Sequence, residues 1–429
     1  MKILRGGKRI GSGRRSISGR EYRIKIEDEK IEQLSISFLG KNVNERIREC
    51  ISYGLKKVEE EKHMINNTNN LNVIDLFSGA GGLSRGFLDA GYNIVLGVDF
   101  DDMALKTFKE NHGSAEAMKI DLFNHNNINK IVDYLNINNI RVDVLVGGPP
   151  CQGFSLAGSR KEDDKRNTLY TAMVKTAKIL KPKVVVLENV PGLLTLYNGK
   201  AAKMIIKDFS DLGYTVKAKV LYAPEYGIPQ IRKRVFFVAL LESNEEFKFP
   251  NPILSEDKFI TCEDAISDLD SLENKMGEFE QEYTSEALTE YQKLMRKNSK
   301  KLYNHIATKH TEKTIKMISM VPEGKNYKAL PDKYRCLFNF NEALTRYHSK
   351  KPSRTIDTGH RTHFHYKYNR IPTVRENARL QSFPDDFIFY GNKSQQYKQV
   401  GNAVPPLLGF NLAKQLKKYL MGKEEHKNE

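Results

Sequence analysis

Between residues 72 and 241 short apolar runs alternate with longer segments whose apolar side chains return every three or four positions. NVIDLF (72–77), NIVLGVD (93–99), VDVLVGG (142–148), VVVLENV (184–190) and RVFFVALL (234–241) have the length and β-branched content of buried strands. Strands alternating with helices predict a doubly wound α/β core over 72–242. The rhythm stops at 243–350, which is polar and rich in Lys and Tyr and reads as a smaller inserted domain. Residues 351–420 follow, and GNAVPPLLGFNLAKQLKKYL at their end returns to a helical pattern suited to packing back on the core. The last residues, 421–429, form a tail.

The first 71 residues have another character. Residues 1–20 hold seven Lys or Arg, no acid and five glycines, a composition that disfavours a helix and reads as a basic arm. Within 21–63, Tyr22, Ile24 and Ile26 alternate with Arg23 and Lys25 as in a strand. Two helical stretches follow, the second aligning Val43, Ile47, Ile51, Leu55 and Val58, with Asn42 or Asn44 as its cap. The Asn-rich stretch within 64–71 reads as a linker.

Composition narrows the partners. The net charge of +16 favours a polyanion, nucleic acid first, because clustered Lys and Arg displace counterions from phosphates. Four cysteines without CxxC spacing point to a reducing compartment and away from structural zinc. No apolar run approaches membrane-spanning length, so a cytoplasmic protein with no membrane association is expected. Abundant Asn, Lys and Ile without tryptophan fit an AT-rich bacterial or phage genome.

Two places along the core concentrate candidate chemistry. Gly79, Gly81 and Gly82 follow the first strand and precede a helix, where a missing side chain lets a nucleotide-like ligand approach the backbone. Asp99 ends the second strand 20 residues beyond Gly79, the spacing of an acid that accepts from ribose hydroxyls, and Asp121 is placed to accept from an adenine amino group. These residues alone do not separate NAD from S-adenosylmethionine, and a tight turn beside two solvated acids is the plain alternative. GGPPCQGFS (147–155) sets Cys151 after an apolar strand on a Pro-Pro loop, and VVVLENV presents Glu188 and Asn189 at the same sheet edge. A cysteine and a glutamate there suit a nucleophile and a proton donor; a buried inert thiol and a capping acid are the alternatives.

Taken in order, DLFSGAGG, PPCQ, ENV, QxRxR, RENARLQSFPD (375–385) and GNAVP resemble the C5-cytosine DNA methyltransferase family across roughly residues 72 to 420. The resemblance implies a Rossmann-like core that binds S-adenosylmethionine, releases S-adenosylhomocysteine, and needs no metal. It implies the activity of a DNA (cytosine-5-)-methyltransferase acting on a base flipped out of duplex DNA. The implied catalytic residues are Cys151, adding to C6 of cytosine, Glu188, serving N3, and Arg232 and Arg234. The implied cofactor residues are Phe77, Ser78, Gly79, Gly81, Gly82, Leu83, Asp99, Phe100, Asp121, Leu122, Pro149, Asn402 and Ala403. Pro150, Gln152, Ser155, Asn189 and Gln230 are implied to meet the base or position the groups that do. Where related sequences carry serine, Ala403 lacks a hydroxyl.

The inserted 243–350 region matches the family's target-recognition region, and its Arg296, Lys297, Lys300 and Lys301, with Lys350 and the adjoining Lys351, suit phosphate and groove contacts. Residues 21–63 resemble ribbon-helix-helix DNA-binding proteins, which implies dimerisation and DNA binding through this extension, the catalytic domain itself being monomeric. A restriction-modification role follows, a cognate restriction endonuclease acting separately. Two rivals remain: a tRNA cytosine-5 methyltransferase on the same scaffold, which PPCQGFS and the sizeable insert disfavour, and a DNA-binding regulator without catalysis, which the intact motifs disfavour.

Overall fold

Seven strands form one sheet in the order β3-β2-β1-β4-β5-β7-β6. The computed structural model describes residues 28–37, 42–53, 71–150, 169–335, 344–359 and 363–421. The chain divides into two units, Met1–Thr68 and Asn69–Glu429. The first contains α1 (Asp28–Ser37) and α2 (43–53), with Asn42 Oδ1 accepting from Glu45 N at 3.0 Å to cap α2. The expected arm and strand before α1 lie outside the described residues, as do 54–70.

In the second unit, β1 (Asn72–Leu76), α3 (Gly82–Asp89), β2 (Asn93–Asp99), α4 (Asp102–Asn111), β3 (Glu116–Lys119), α5 (Ile128–Ile137), β4 (Val144–Gly147), α6 (Tyr170–Leu180), β5 (Val184–Asn189) and α7 (Lys200–Ser210) alternate strand and helix. β6 (Tyr214–Tyr222) and β7 (Lys233–Leu241) then close the sheet, and β7 runs antiparallel to both β5 and β6. All five apolar runs become strands to within two residues at either end. Two further strands, β3 and β6, stand at the sheet edges. There one side is open to water, so polar side chains such as Lys217 and Lys219 replace the continuous apolar signal.

The central strands are buried on both faces, which is why they read as unbroken apolar runs. Leu145, Val185, Leu187 and Phe237 face α5, α6 and α7. Val144, Val146, Val186 and Phe236 share the opposite cluster with Phe87 of α3 and with Leu408, Leu412 and Leu416 of the C-terminal helix. The remaining helices are α8 (Cys262–Ile266), α9 (Glu290–Arg296), α10 (Glu312–Ser319), α11 (Asp332–Arg335), α12 (Val374–Leu380), α13 (Lys393–Asn402) and α14 (Pro406–Leu420), with two short two-stranded ladders among them.

α8, α9, α12 and α13 enclose a third apolar cluster that includes Ile266, Met295, Val374, Phe383 and Val400. Beneath it lies a buried ion network. Arg379 pairs with Asp268 and Asp385 at 2.6 Å each, and Arg296 pairs with Asp268. Glu376 receives Arg370 at 2.6 Å. Pairing offsets the cost of burying these charges, and it ties the 262–303 stretch to RENARLQSFPD.

Candidate active site

The parallel strands β1, β2, β4 and β5 end together at one edge of the sheet. After β1 the backbone takes three left-handed positions within five residues: Phe77 (φ 61°), Gly79 (φ 53°) and Gly81 (φ 91°). Glycine tolerates this; Phe77 does so at a cost that the surrounding structure must hold in place. A Cβ at Gly79 would meet nothing within 4 Å, so the turn is open on that side. A Cβ at Gly81 would collide with the His112 ring, which stacks on Phe108 with centroids 4.3 Å apart; burial lowers the His112 pKa to about 4. At Gly82 it would meet the Val404 carbonyl and, at 3.0 Å, Ala403 Cβ. The GNAVP segment thus abuts the turn, and α14 packs along α3 behind it.

The Asp99 carboxylate locks the turn from below. Oδ2 accepts from Gly79 N at 2.8 Å, and Oδ1 accepts from Phe100 N at 2.7 Å and Asp101 N at 3.0 Å. Burial nonetheless raises its pKa, the three backbone donors opposing the rise. Beside it, Ser78 Oγ is buried with no hydrogen-bond partner among the described residues. The Phe100 ring is 64% exposed, Phe77 is half-buried, Leu83 and Leu122 belong to the core, and Asp121 is exposed with Oδ1 accepting from Phe123 N at 2.9 Å. An open glycine turn, an orphan hydroxyl and an exposed ring fit a nucleotide-like cofactor with hydroxyl groups and a flat base.

Glu188, the penultimate residue of β5, is buried, with Oε1 2.7 Å from Arg234 Nε. Burial pushes its pKa up, while Arg234 and then Arg232 pull it down. A Cβ at Gly148 would lie 2.9 Å from Glu188 Oε2, so a glycine after β4 leaves the carboxyl its room. Asn189 Nδ2 donates to the Pro149 carbonyl at 3.0 Å, anchoring the chain where it leaves β4. Pro149 is buried and Pro150 exposed. Cys151, Gln152 and Ser155 lie outside the described residues.

The members of QxRxR divide their work. Arg234 faces Glu188. Arg232 is buried, and its two terminal nitrogens donate to backbone carbonyls: Ile356 at 3.0 Å, Gly401 at 2.8 Å and Ala403 at 3.2 Å. Desolvation drives its pKa far below the usual guanidinium value. Gln230 is buried as well, accepting from Ile356 N at 3.1 Å and donating to Gln381. Gln381 Nε2 in turn donates to the Ala403 carbonyl at 2.6 Å. Arg232 and Gln230 thereby join the start of β7 to the 353–356 segment and to GNAVP, where Asn402 is exposed and Ala403 half-buried.

One buried acid of this edge escaped the sequence reading. Asp75, in β1, accepts from Ser84 Oγ at 2.6 Å, and burial, with Asp99 and Glu188 nearby, pushes its pKa up to about 7. The signal was an acid inside an otherwise apolar strand. Burial thus raises the pKa of three carboxyls at this one sheet edge, Asp75, Asp99 and Glu188, and favours their protonated forms. In the 243–351 stretch, Arg296, Lys301 and Lys350 are engaged by Asp268, Glu280 and Glu263.

Residues 71–418 match the C-5 cytosine-specific DNA methylase family. Among curated relatives, the type II methyltransferase M.DdeI of Desulfomicrobium norvegicum is 36% identical over 81% of this chain and 89% of its own length. The type II methyltransferase M1.HphI of Haemophilus parahaemolyticus is 38% identical over 80% of this chain and 86% of its own. Among solved structures, an E. coli protein described as a DNA modification methyltransferase encoded within a prophage superposes with a TM-score of 0.66 at 24% identity, covering 82% of this chain and all of that one. The S. pombe Dnmt2 methyltransferase shares the fold with a TM-score of 0.51 at 17% identity, covering 82% of this chain and 99% of its own.

Proposed function

The chain belongs to the C-5 cytosine-specific DNA methylase family, methylating carbon 5 of cytosine in DNA, and from that premise we propose how its residues carry out the reaction and in what setting. The cofactor is S-adenosylmethionine, seated in the turn after β1, with Phe77, Phe100 and Leu122 around the adenine, Asp121 at its amino group and Asp99 at the ribose. Bound there, it supplies an electrophilic methyl group on a sulfonium cation. The buried Ser78 hydroxyl, without a partner among the described residues, supports a polar ligand there. Ala403, against Gly82, and Asn402 close the other end of the pocket.

The Cys151 thiolate adds to C6 of the flipped cytosine, forming an S–C6 bond while the C5–C6 π pair shifts into the ring. Glu188, protonated, gives its proton or a short hydrogen bond to N3 and so neutralises that charge. Carbon 5 then takes the methyl group, the leaving electron pair going to the cofactor sulfur. Loss of the C5 proton to water or a base, with the N3 proton returning to Glu188, restores the double bond and expels the thiolate. Arg234 holds the Glu188 carboxyl in place; Asn189 holds Pro149, and with it the approach to Pro150, Cys151, Gln152 and Ser155. Arg232 and Gln230 act by keeping β7 and GNAVP in register.

The observation that carries this reading is Glu188: a buried carboxyl with a raised pKa, ion-paired to Arg234, at the sheet edge that also bears the cofactor turn. The relatives named as type II methyltransferases support a restriction-modification setting, in which methylation protects host DNA from a separate endonuclease. The 243–350 region reads the duplex sequence. Unmethylated duplex DNA incubated with labelled S-adenosylmethionine should acquire 5-methylcytosine at one short motif by bisulfite sequencing, and Cys151→Ser should acquire none. Transfer to tRNA and not to DNA would overturn the substrate assignment.

A further inference from the structure

Between β2 and the turn after β1 stands a column of two rings. A Cβ at Gly97 of β2 would collide with the Phe108 ring, so the strand leaves out a side chain where α4 inserts that ring. Phe108 stacks on His112 with the two planes 20° apart, and a Cβ at Gly81 would collide with His112 in turn. Two glycines on separate segments thus close on the stacked rings from either end. Phe387 covers one side, its ring centroid 6.0 Å from that of His112. His112 is buried, and burial lowers its pKa to about 4, so the ring is neutral near pH 7.

A neutral imidazole has one N–H, and this ring faces two carbonyl oxygens: Phe108 O lies 2.7 Å from Nδ1 and Gly81 O 3.2 Å from Nε2. The first contact is local, since His112 follows the last residue of α4 and Phe108 precedes it by four. The second joins segments 31 residues apart, where two opposed lone pairs would drive the segments away from each other. That contact therefore places the ring proton on Nε2. The Gly81 oxygen also accepts from Arg85 N at 2.8 Å, in the first turn of α3. Because the peptide is planar and trans, a carbonyl aimed at His112 and Arg85 aims the N–H of Gly82 the opposite way. Gly82 is the first residue of α3, so its N–H has no carbonyl partner within the helix, and the same turn is open at Gly79, where a Cβ would meet nothing within 4 Å.

We propose that His112 is a positioning residue for the cofactor: its Nε2–H fixes the Gly81 carbonyl and so holds the Gly81–Gly82 peptide in the orientation that S-adenosylmethionine binds. The proposal rests on the reading of the β1 turn as the cofactor's seat. Neither residue of that peptide has a side chain to restrain it, and without His112 only the Arg85 N–H remains, in the terminal turn of a helix. Each binding event must then order the peptide anew, which weakens binding and leaves the chemical step as it was. A ring that merely fills space has no such effect, and phenylalanine would fill the same space without burying a polar nitrogen.

The test titrates S-adenosylhomocysteine into the full-length protein by calorimetry and follows urea unfolding of the same samples, for wild type, His112→Phe, His112→Gln and His112→Asn. Phenylalanine keeps the stacked ring and has no donor. Glutamine gives up the ring but carries an amide donor where Nε2 lies, whereas the asparagine donor sits where Nδ1 lies and reaches the Phe108 carbonyl alone. His112→Phe should bind about tenfold more weakly, the worth of one hydrogen bond, and unfold no more easily than wild type. His112→Gln should unfold more easily yet bind within about threefold of wild type, and His112→Asn should bind as weakly as His112→Phe. With duplex DNA as the acceptor, the KM of His112→Phe for S-adenosylmethionine should rise about tenfold while kcat at saturating cofactor stays within about twofold. A His112→Phe protein with wild-type affinity, or a His112→Gln protein as weak as His112→Asn, overturns the proposal and leaves His112 as core filling; the second comparison decides even where His112→Phe fails to fold. A wild type that binds no S-adenosylhomocysteine overturns the cofactor reading, and this proposal with it, so the two failures are told apart by the wild-type titration.

Discussion

Replacing Asp75 by Asn removes an ionisable group from the buried end of β1 while keeping an oxygen that can accept from Ser84 Oγ, which lies 2.6 Å from Asp75 Oδ2 in the wild type. Burial, reinforced by the Asp99 and Glu188 carboxyls, raises the Asp75 pKa from 3.8 to about 7. Between those values the folded chain keeps a proton that the unfolded chain has released. Stability must therefore fall as pH rises through this window, and the penalty is complete above it. At about 1.4 kcal/mol per pH unit the shift corresponds to roughly 4 kcal/mol, and about 2–4 kcal/mol is the expected size. Asn carries no such penalty. Relative to wild type, Asp75→Asn should gain stability steadily from pH 4 to pH 8, whatever constant cost the amide itself introduces. Urea unfolding of both proteins at several pH values reads the difference directly. A difference independent of pH, or one that moves against the variant as pH rises, would show that Asp75 does not hold its proton and would refute the argument.

Arg234→Met removes the cation that holds the Glu188 pKa down, so the alkaline fall of kcat/KM, where the proton donor is lost, should move up by about one pH unit; a fixed limb would separate Arg234 from the acid. Arg232→Met strips donors from the carbonyls of Ile356, Gly401 and Ala403, and should cost about 3 kcal/mol or more in urea unfolding, with Arg232→Lys intermediate. Gly86→Ala places a methyl 2.5 Å from Phe410 N and 2.7 Å from Gly409 C, where α3 crosses α14, and should destabilise by about 1–3 kcal/mol in the same assay. Glu188→Gln should lower kcat by about a hundredfold or more while binding of S-adenosylmethionine, read by calorimetry, changes little.

The strands of the core were legible because a strand buried on both faces must be apolar at every position, and that needs no knowledge of its neighbours. β3 and β6 were less legible because an edge strand meets water and mixes polar with apolar residues. The order of the motifs was likewise legible, and it led to the family. The sequence could not show that Phe77 turns left-handed, since that conformation belongs to glycine by preference and is imposed on Phe77 by its surroundings. Nor could it show which arginine of QxRxR meets Glu188. Two residues apart in the chain, Arg232 and Arg234 have the same chemistry, and only β7 pairing antiparallel to β5 places Arg234 Nε against the carboxyl and sends Arg232 to the carbonyl of Gly401, 169 residues away.

The sequence by itself determined the residue types, the strand runs and the spacing of glycines and acids, because these follow from side-chain chemistry and local geometry. Tertiary structure decided the sheet order, the partner of each buried charge and the proton on Asp75. Those depend on which distant groups approach and on how completely water is excluded, and neither quantity exists until the chain has folded.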